Sequence, residues 1–166
     1  RAIELAERRL AADPASTQRR RDLSISHDRI GDVLAKQGDT HGALAAYRKS
    51  FAIAEALAAR TPTNTEWQRD LSVIQDNIGV MLADQGDMVE ALAAYRKGLS
   101  LREALAARDP GNTEWQRDLS VSHERIGDVR LAQGDLSGAL RVYQASLAIR
   151  KRLATNDAGN SQWQRD

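Results

Sequence analysis

The 166-residue sequence contains no cysteine, only three prolines and a single phenylalanine. None of its apolar runs approaches the ~20 residues needed to cross a bilayer. Without cysteine there is neither a disulfide framework nor a thiolate metal site. Charge of one sign is also lacking: 24 basic and 23 acidic residues give a formal charge of +1, so no whole-protein field attracts nucleic acid or an anionic membrane. The short run Arg19-Arg20-Arg21 does not outweigh that balance. No signal peptide is visible, and the expected location is cytoplasmic. There is no Gly-x-Gly-x-x-Gly, no phosphate loop ending in Gly-Lys-Ser/Thr and no His-Glu-x-x-His, so no nucleotide, cofactor or metal is expected.

What the chain does have is a repeat. Gly86-Asp87-Met88-Val89-Glu90-Ala91-Leu92-Ala93-Ala94-Tyr95 has near-copies 48 residues away on either side, beginning at Gly38 and Gly134. Trp67, Trp115 and Trp163 recur at the same interval, as do the Asp-Leu-Ser triplets beginning at Asp22, Asp70 and Asp118. A fixed period of this size with helical patterning indicates stacked units. The boundaries fall at 17–64, 65–112 and 113–160, flanked by the end of a preceding repeat in 1–16 and the start of another in 161–166. The chain reads as a piece of a longer array.

Inside the middle repeat Trp67, Leu71, Ile74, Ile78 and Leu82 share one face of a helix. The hydroxyl residue and the Gln three places on in Thr65–Gln68, Thr113–Gln116 and Ser161–Gln164 have capping-box spacing. Gly31, Gly79 and Gly127 lie inside that first helix, where glycine costs roughly 1 kcal/mol relative to alanine, so a neighbouring helix is expected to approach closely there. Gly38, Gly86 and Gly134 stand where the helix should stop in a left-handed turn, and Asp39, Asp87 and Asp135 can cap the next one. Breaks follow at Asp13–Ser16, Thr61–Asn64 and Asp109–Asn112, each containing a proline. In the third repeat Arg130 replaces the leucine of Leu34 and Leu82; either Leu131 takes over the burial or the arginine stem snorkels beside the core.

These residues resemble the tetratricopeptide repeat family. Ile30-Gly31, Ile78-Gly79 and Ile126-Gly127 match its first-helix pair, and Gly38, Gly86 and Gly134 match its turn. Ala43, Ala91 and Ala139 match its small packing position, and Tyr47, Tyr95 and Tyr143 its aromatic. The family's tryptophan position is His27, Gln75 and His123 here, and its closing proline position is Glu55, Glu103 and Lys151. Helices that continue through those positions account for a unit longer than the family's usual 34 residues. The resemblance implies an all-α, right-handed α-solenoid of stacked antiparallel helix hairpins, in the extended form found in large bacterial proteins.

The resemblance also implies a function: the inner, first-helix surface would hold a peptide or protein segment. The matched positions are Asp28, Arg29 and Asp32, then Asp76 and Asp84, then Glu124, Arg125 and Asp128. Their spacing permits a mainly acidic stripe with arginines at its edges, suited to a basic or mixed-charge segment. A solvated helix face would give the same pattern. No carboxylate clamp of lysine and arginine is recognisable.

Enzymatic chemistry is not indicated. The histidines are His27, His41 and His123, and the counterpart of His27 and His123 in the middle repeat is Gln75, which cannot act as an acid-base group. Ser24, Ser72 and Ser120 lack a fixed histidine partner, and local helix hydrogen bonds or packing explain them better. The best reading is a non-catalytic protein-interaction scaffold with a protein or peptide partner. The alternative is a structural spacer or an array that self-associates through exposed terminal helix faces.

Overall fold

Residues 2–13 and 16–156 are described by a computed structural model. The proline break at Pro14 and the helix start at Ser161 with Trp163 lie outside the described residues. Among the described residues the regular elements are all α-helices: α1 (Ala2–Ala12), α2 (Thr17–Lys36), α3 (Thr40–Arg60), α4 (Thr65–Asp84), α5 (Met88–Arg108), α6 (Thr113–Ala132) and α7 (Leu136–Asn156). They form an all-α helix-hairpin repeat of the solenoid type. The chain divides into two compact units, 1–94 and 95–166, with the boundary inside α5. In the first, α1 packs on α2, α2 pairs with α3, and α4 packs on α3; in the second, α6 pairs with α7.

Each hairpin turn takes three residues. At the end of α2 the Asp39 N–H donates to the Leu34 carbonyl (2.9 Å) and the Gly38 N–H to that of Ala35 (3.0 Å), the paired bonds of a Schellman stop. Gly38, Gly86 and Gly134 have φ of 80°, 86° and 78°, the left-handed region where a side chain is strained. Asp39 then starts α3, its carboxylate accepting from the Gly42 N–H at 2.8 Å. One residue thus closes one helix and opens the next. The turns Gly86-Asp87 and Gly134-Asp135 repeat the Schellman bonds.

The starts of α4 and α6 correct the capping expected at Thr65 and Thr113. The cap is one residue earlier: Asn64 accepts from the Trp67 N–H and Asn112 from the Trp115 N–H, both at 3.1 Å. Asparagine offers the same short acceptor as a hydroxyl and sits in extended backbone, so it takes the role first. Ser16 caps α2 in the same way.

The core of the first hairpin is small-residue packing around one ring. Ala43, Leu44, Tyr47, Ala54 and Leu57 are buried on α3, facing Leu23, Ser24 and Gly31 of α2. A Cβ on Gly31 would lie 2.4 Å from Tyr47 Cε1, and one on Gly127 would lie 2.5 Å from Tyr143 Cε1. The mid-helix glycines at these two positions therefore make room for the tyrosine of the same hairpin. Each ring is held at its far end too, Tyr47 Oη donating to Asp32 at 2.8 Å and Tyr143 Oη to Asp128 at 2.6 Å.

In α4, Leu71, Ile74, Ile78 and Leu82 are buried as their spacing requires, with Trp67 half-buried. The second helices run 21 residues, through Glu55, Glu103 and Lys151, where the usual family pattern ends. Arg130 is half-buried and reaches Asp135 at 3.2 Å, while Leu131 is 51% exposed. The arginine stem, rather than its neighbour, occupies the leucine's place.

Candidate partner-binding face

The first helices of adjacent hairpins in the first unit, α2 and α4, are sewn together by polar side chains. Arg21 on α2 sends its guanidinium to α4, Nε to Asp70 Oδ2 at 2.7 Å, Nη2 to Asp70 Oδ1 at 3.4 Å and Nη1 to Glu66 at 2.9 Å. Two bonds to one carboxylate fix orientation as well as attraction. Two turns along, Asn77 Nδ2 on α4 donates back to Asp28 Oδ1 on α2 at 3.2 Å. Below them, α2 and α3 are joined by a reciprocal serine pair. The Ser24 and Ser50 hydroxyls lie 2.9 Å apart, and each can also reach the other residue's carbonyl, at 3.0 and 2.8 Å. Both serines are buried, and their polar atoms satisfy one another.

Between the seam and the serine pair lies a cleft of about 90 Å³, lined by Ser24, Ile25, Asp28, Ser50, Asp70, Val73 and Ile74. Ile25, Val73 and Ile74 give it aliphatic walls, and the two carboxylates give it acidic edges. Asp70 is occupied by Arg21. Asp28 is committed only through Oδ1, so its Oδ2 has no protein donor among the described residues. Burial pushes the Asp28 carboxyl above its ordinary value; the Asn77 bond opposes that shift, and Asp32 and Asp70 add to it.

The structure places the other sequence-derived candidates unevenly. Arg29 is exposed beside Asp28 on α2, and Asp84 is exposed at the end of α4. Asp76 is buried on α4. In the second unit, Glu124 accepts from Ser146 Oγ and from Arg150 Nη2, both at 2.7 Å, while Arg125 is half-buried. Asp32 and Asp128 hold tyrosine hydroxyls. Asp28, Asp32, Glu124 and Asp128 thus serve neighbouring helices, which differs from a free acidic stripe. The reason is geometric: their partners lie 15 to 49 residues away, on other helices, beyond the reach of spacing within one helix.

Sequence reasoning missed Arg21, Asp70, Asn77 and Arg150. The signal for the first two was present, since Arg21-Asp22, Arg69-Asp70 and Arg117-Asp118 repeat the Arg-Asp pair at one phase. The serines form no nucleophile–base pair. Ser24 bonds to Ser50, and Ser72 and Ser120 donate to the carbonyls of Arg69 and Arg117 at 2.7 and 2.8 Å. No group of three or more His, Cys, Asp or Glu among the described residues is placed to hold a metal ion. His27 and His123 both have pKa values lowered chiefly by burial.

Residues 73–110, from the middle of α4 through the end of α5, match the family described as Tetratricopeptide repeat. The fold is TPR-like. No curated protein matches the chain. Among solved structures it is similar to that titled "Crystal structure of MamA", with 15% identity, 92% of this chain and 89% of that one covered, and a TM-score of 0.41. It is also similar to "DHF79 filament" (14% identity, 98% and 90% covered, TM-score 0.40). A third is BtubC from P. vanneervenii (16% identity, 96% and 89% covered, TM-score 0.29). No described helix of this TPR-like chain is long and apolar enough to cross a membrane.

Proposed function

We propose that this TPR-like chain is a non-catalytic interaction scaffold of a bacterial cytoplasmic protein, and that it binds a peptide or protein segment along its first-helix face. The observation that supports this reading most is the α2–α4 cleft. It is open, walled by aliphatic side chains, and edged by a carboxylate with an uncommitted oxygen. The helices on either side are already fixed by the Arg21–Asp70 and Asn77–Asp28 bonds. A partner therefore meets a preorganised surface, which lowers the ordering cost of binding. Asp28, Arg29, Asp32 and Asp84 form the first-unit part of the proposed face, and exposed Asp128 is the second-unit counterpart of Asp32, while Asp76 is buried and Glu124 and Arg125 are half-buried.

The test is selective capture of protein segments by the chain and by a variant carrying Asp28→Asn and Arg29→Glu. Neither side chain contributes to the hydrophobic core, so the variant should keep the wild-type helicity. Loss of specific segments from the variant is the expected result. Equal capture by both folded proteins would overturn the assignment of the face.

A second reading, self-association, is favoured by α7. Leu136, Leu140 and Leu147 are 65%, 58% and 49% exposed on that helix. At the same helix positions as Leu140, the first hairpin has Leu44, which is buried. Exposed leucines clustered on one helix suit a second copy of the chain.

A further inference from the structure

The first and last hairpins solve the same electrostatic problem differently. Asp28 is the twelfth residue of α2 and Glu124 the twelfth of α6. Facing Glu124, the fifteenth residue of α7 is Arg150, whose Nη2 donates to Oε2 at 2.7 Å, and Ser146 donates to Oε1 at the same distance. Both carboxylate oxygens of Glu124 are therefore satisfied from its own hairpin.

Neither donor serves Asp28. The fifteenth residue of α3 is Ala54, which is buried and carries no charge. Ser50, the counterpart of Ser146, has turned to Ser24 instead. Asp28 is one methylene shorter than Glu124, and it keeps only Asn77, on a single oxygen. Where the last hairpin has an arginine side chain, the first has space. The 90 Å³ cleft lies against Ser50 and Asp28, and a smaller gap beside it is lined by Ala54, Ser24, Leu57, Trp67, Arg21 and Asp70.

We propose that the α2–α4 cleft is a receptor for one arginine side chain of a partner segment, with Asp28 as its ion-pair acceptor. The claim rests on the interaction-scaffold reading of the same face and names the chemistry of its partner. The aliphatic stem of the incoming residue lies along Ile25, Val73 and Ile74, and its guanidinium meets Asp28 Oδ2. Arg150 shows the same arrangement inside the chain, its Nη2 donating to Glu124 Oε2. The neighbouring cation, Arg21, cannot fill the role because Asp70 and Glu66 hold all three of its nitrogens. The raised pKa of Asp28 fits a carboxyl that lacks its cation.

The test uses N-acetyl-arginine amide as probe and the neutral N-acetyl-citrulline amide as control, titrated into the whole chain and followed by amide and side-chain NMR. The expected result is one saturable set of shifts at Val73, Ile74 and the Asn77 side chain, produced by arginine and not by citrulline. Asp28→Asn should weaken that binding at least about tenfold, the effect of losing a charge-assisted partner. Ala54→Arg should abolish it by supplying the cation from within, as Arg150 does. Equal shifts with citrulline, no saturation, or unchanged affinity in Asp28→Asn would overturn the proposal, even if Ala54→Arg failed to fold. A peptide array read on the wild type and both variants separates the two claims. Binders indifferent to both substitutions would keep the scaffold and overturn the arginine receptor. An intact arginine titration with no selective peptide would support the receptor and overturn the scaffold.

Discussion

Replacing Gly31 with alanine puts one methyl group where Tyr47 already stands. The added Cβ would lie 2.4, 2.6 and 2.8 Å from Cε1, Cδ1 and Cζ of the ring, all closer than real carbon contacts allow. The ring cannot swing away at little cost. Tyr47 is 3% exposed, and its hydroxyl is tied to Asp32 at 2.8 Å. Overpacking of this kind costs about 1–3 kcal/mol, and moving the ring also strains a charge-assisted hydrogen bond worth about 1.5–3 kcal/mol. Alanine returns roughly 1 kcal/mol of helix propensity, so the net loss should be about 1–3 kcal/mol. The assay is chemical denaturation of four proteins: wild type, Gly31→Ala, Tyr47→Leu and the double variant. With the ring gone, Gly31→Ala should become neutral or stabilising, a coupling that a double-mutant cycle isolates. Equal destabilisation in both backgrounds would refute the close-approach account. Gly38→Ala serves as the contrast: nothing lies within 4 Å of its Cβ, but its φ of 80° makes any side chain cost about 1–2 kcal/mol.

Three further outcomes are expected. Arg21→Ala should lower stability by about 1 kcal/mol at low salt and by less at high salt, because the bridge to Asp70 and Glu66 is only partly buried; a loss independent of salt would contradict an ionic seam. In a Tyr47→Phe, Tyr95→Phe background, the Tyr143 phenol should titrate near 12, held up first by its hydrogen bond to Asp128 and then by burial. Its folded pKa lies above the unfolded value of about 10, so its stabilising contribution is complete below pH ~10 and disappears as the pH rises through 12. Phenolate absorbance measures this; titration near 10 in the folded protein would refute it, and Asp128→Asn should move the midpoint down. Leu140→Asp should remove any concentration-dependent increase in mass seen by sedimentation, and a mass unaffected by the substitution would sink the α7 contact.

Local features of the fold were legible because their causes are local. Gly38 and Gly134 announce a left-handed turn by being glycine in front of Asp, and Gly31 marks a close neighbour by recurring where glycine is unfavourable. The lengthened second helices followed from the absence of proline at Glu55, Glu103 and Lys151. The caps at Asn64 and Asn112 were misplaced by one residue, since Asn-Thr offers two adjacent capping groups and the capping-box pattern favoured the wrong one. The candidate site was less legible. Asp28 and Glu124 look alike along the helix, and what distinguishes them is Ala54 or Arg150 on the opposing helix, a difference of side-chain partner rather than of spacing. Ser24 had a packing or hydrogen-bonding role in the sequence, but nothing in its own helix pointed to Ser50.

The bond from Arg21 to Asp70 has a consequence for how such a chain changes over generations. The two residues occupy neighbouring phases of the repeat, so each copied segment of 48 residues carries an Arg-Asp pair at one phase, and in the first junction the arginine of one segment holds the aspartate of the next. Duplicating or deleting whole segments keeps the Arg-Asp pair at the same phase on each side of the new junction, whereas an insertion within a first helix shifts it. Length is therefore the freely adjustable trait of this architecture, altered in whole segments, and single positions such as Ala54 are where one segment acquires an individuality that its neighbours lack.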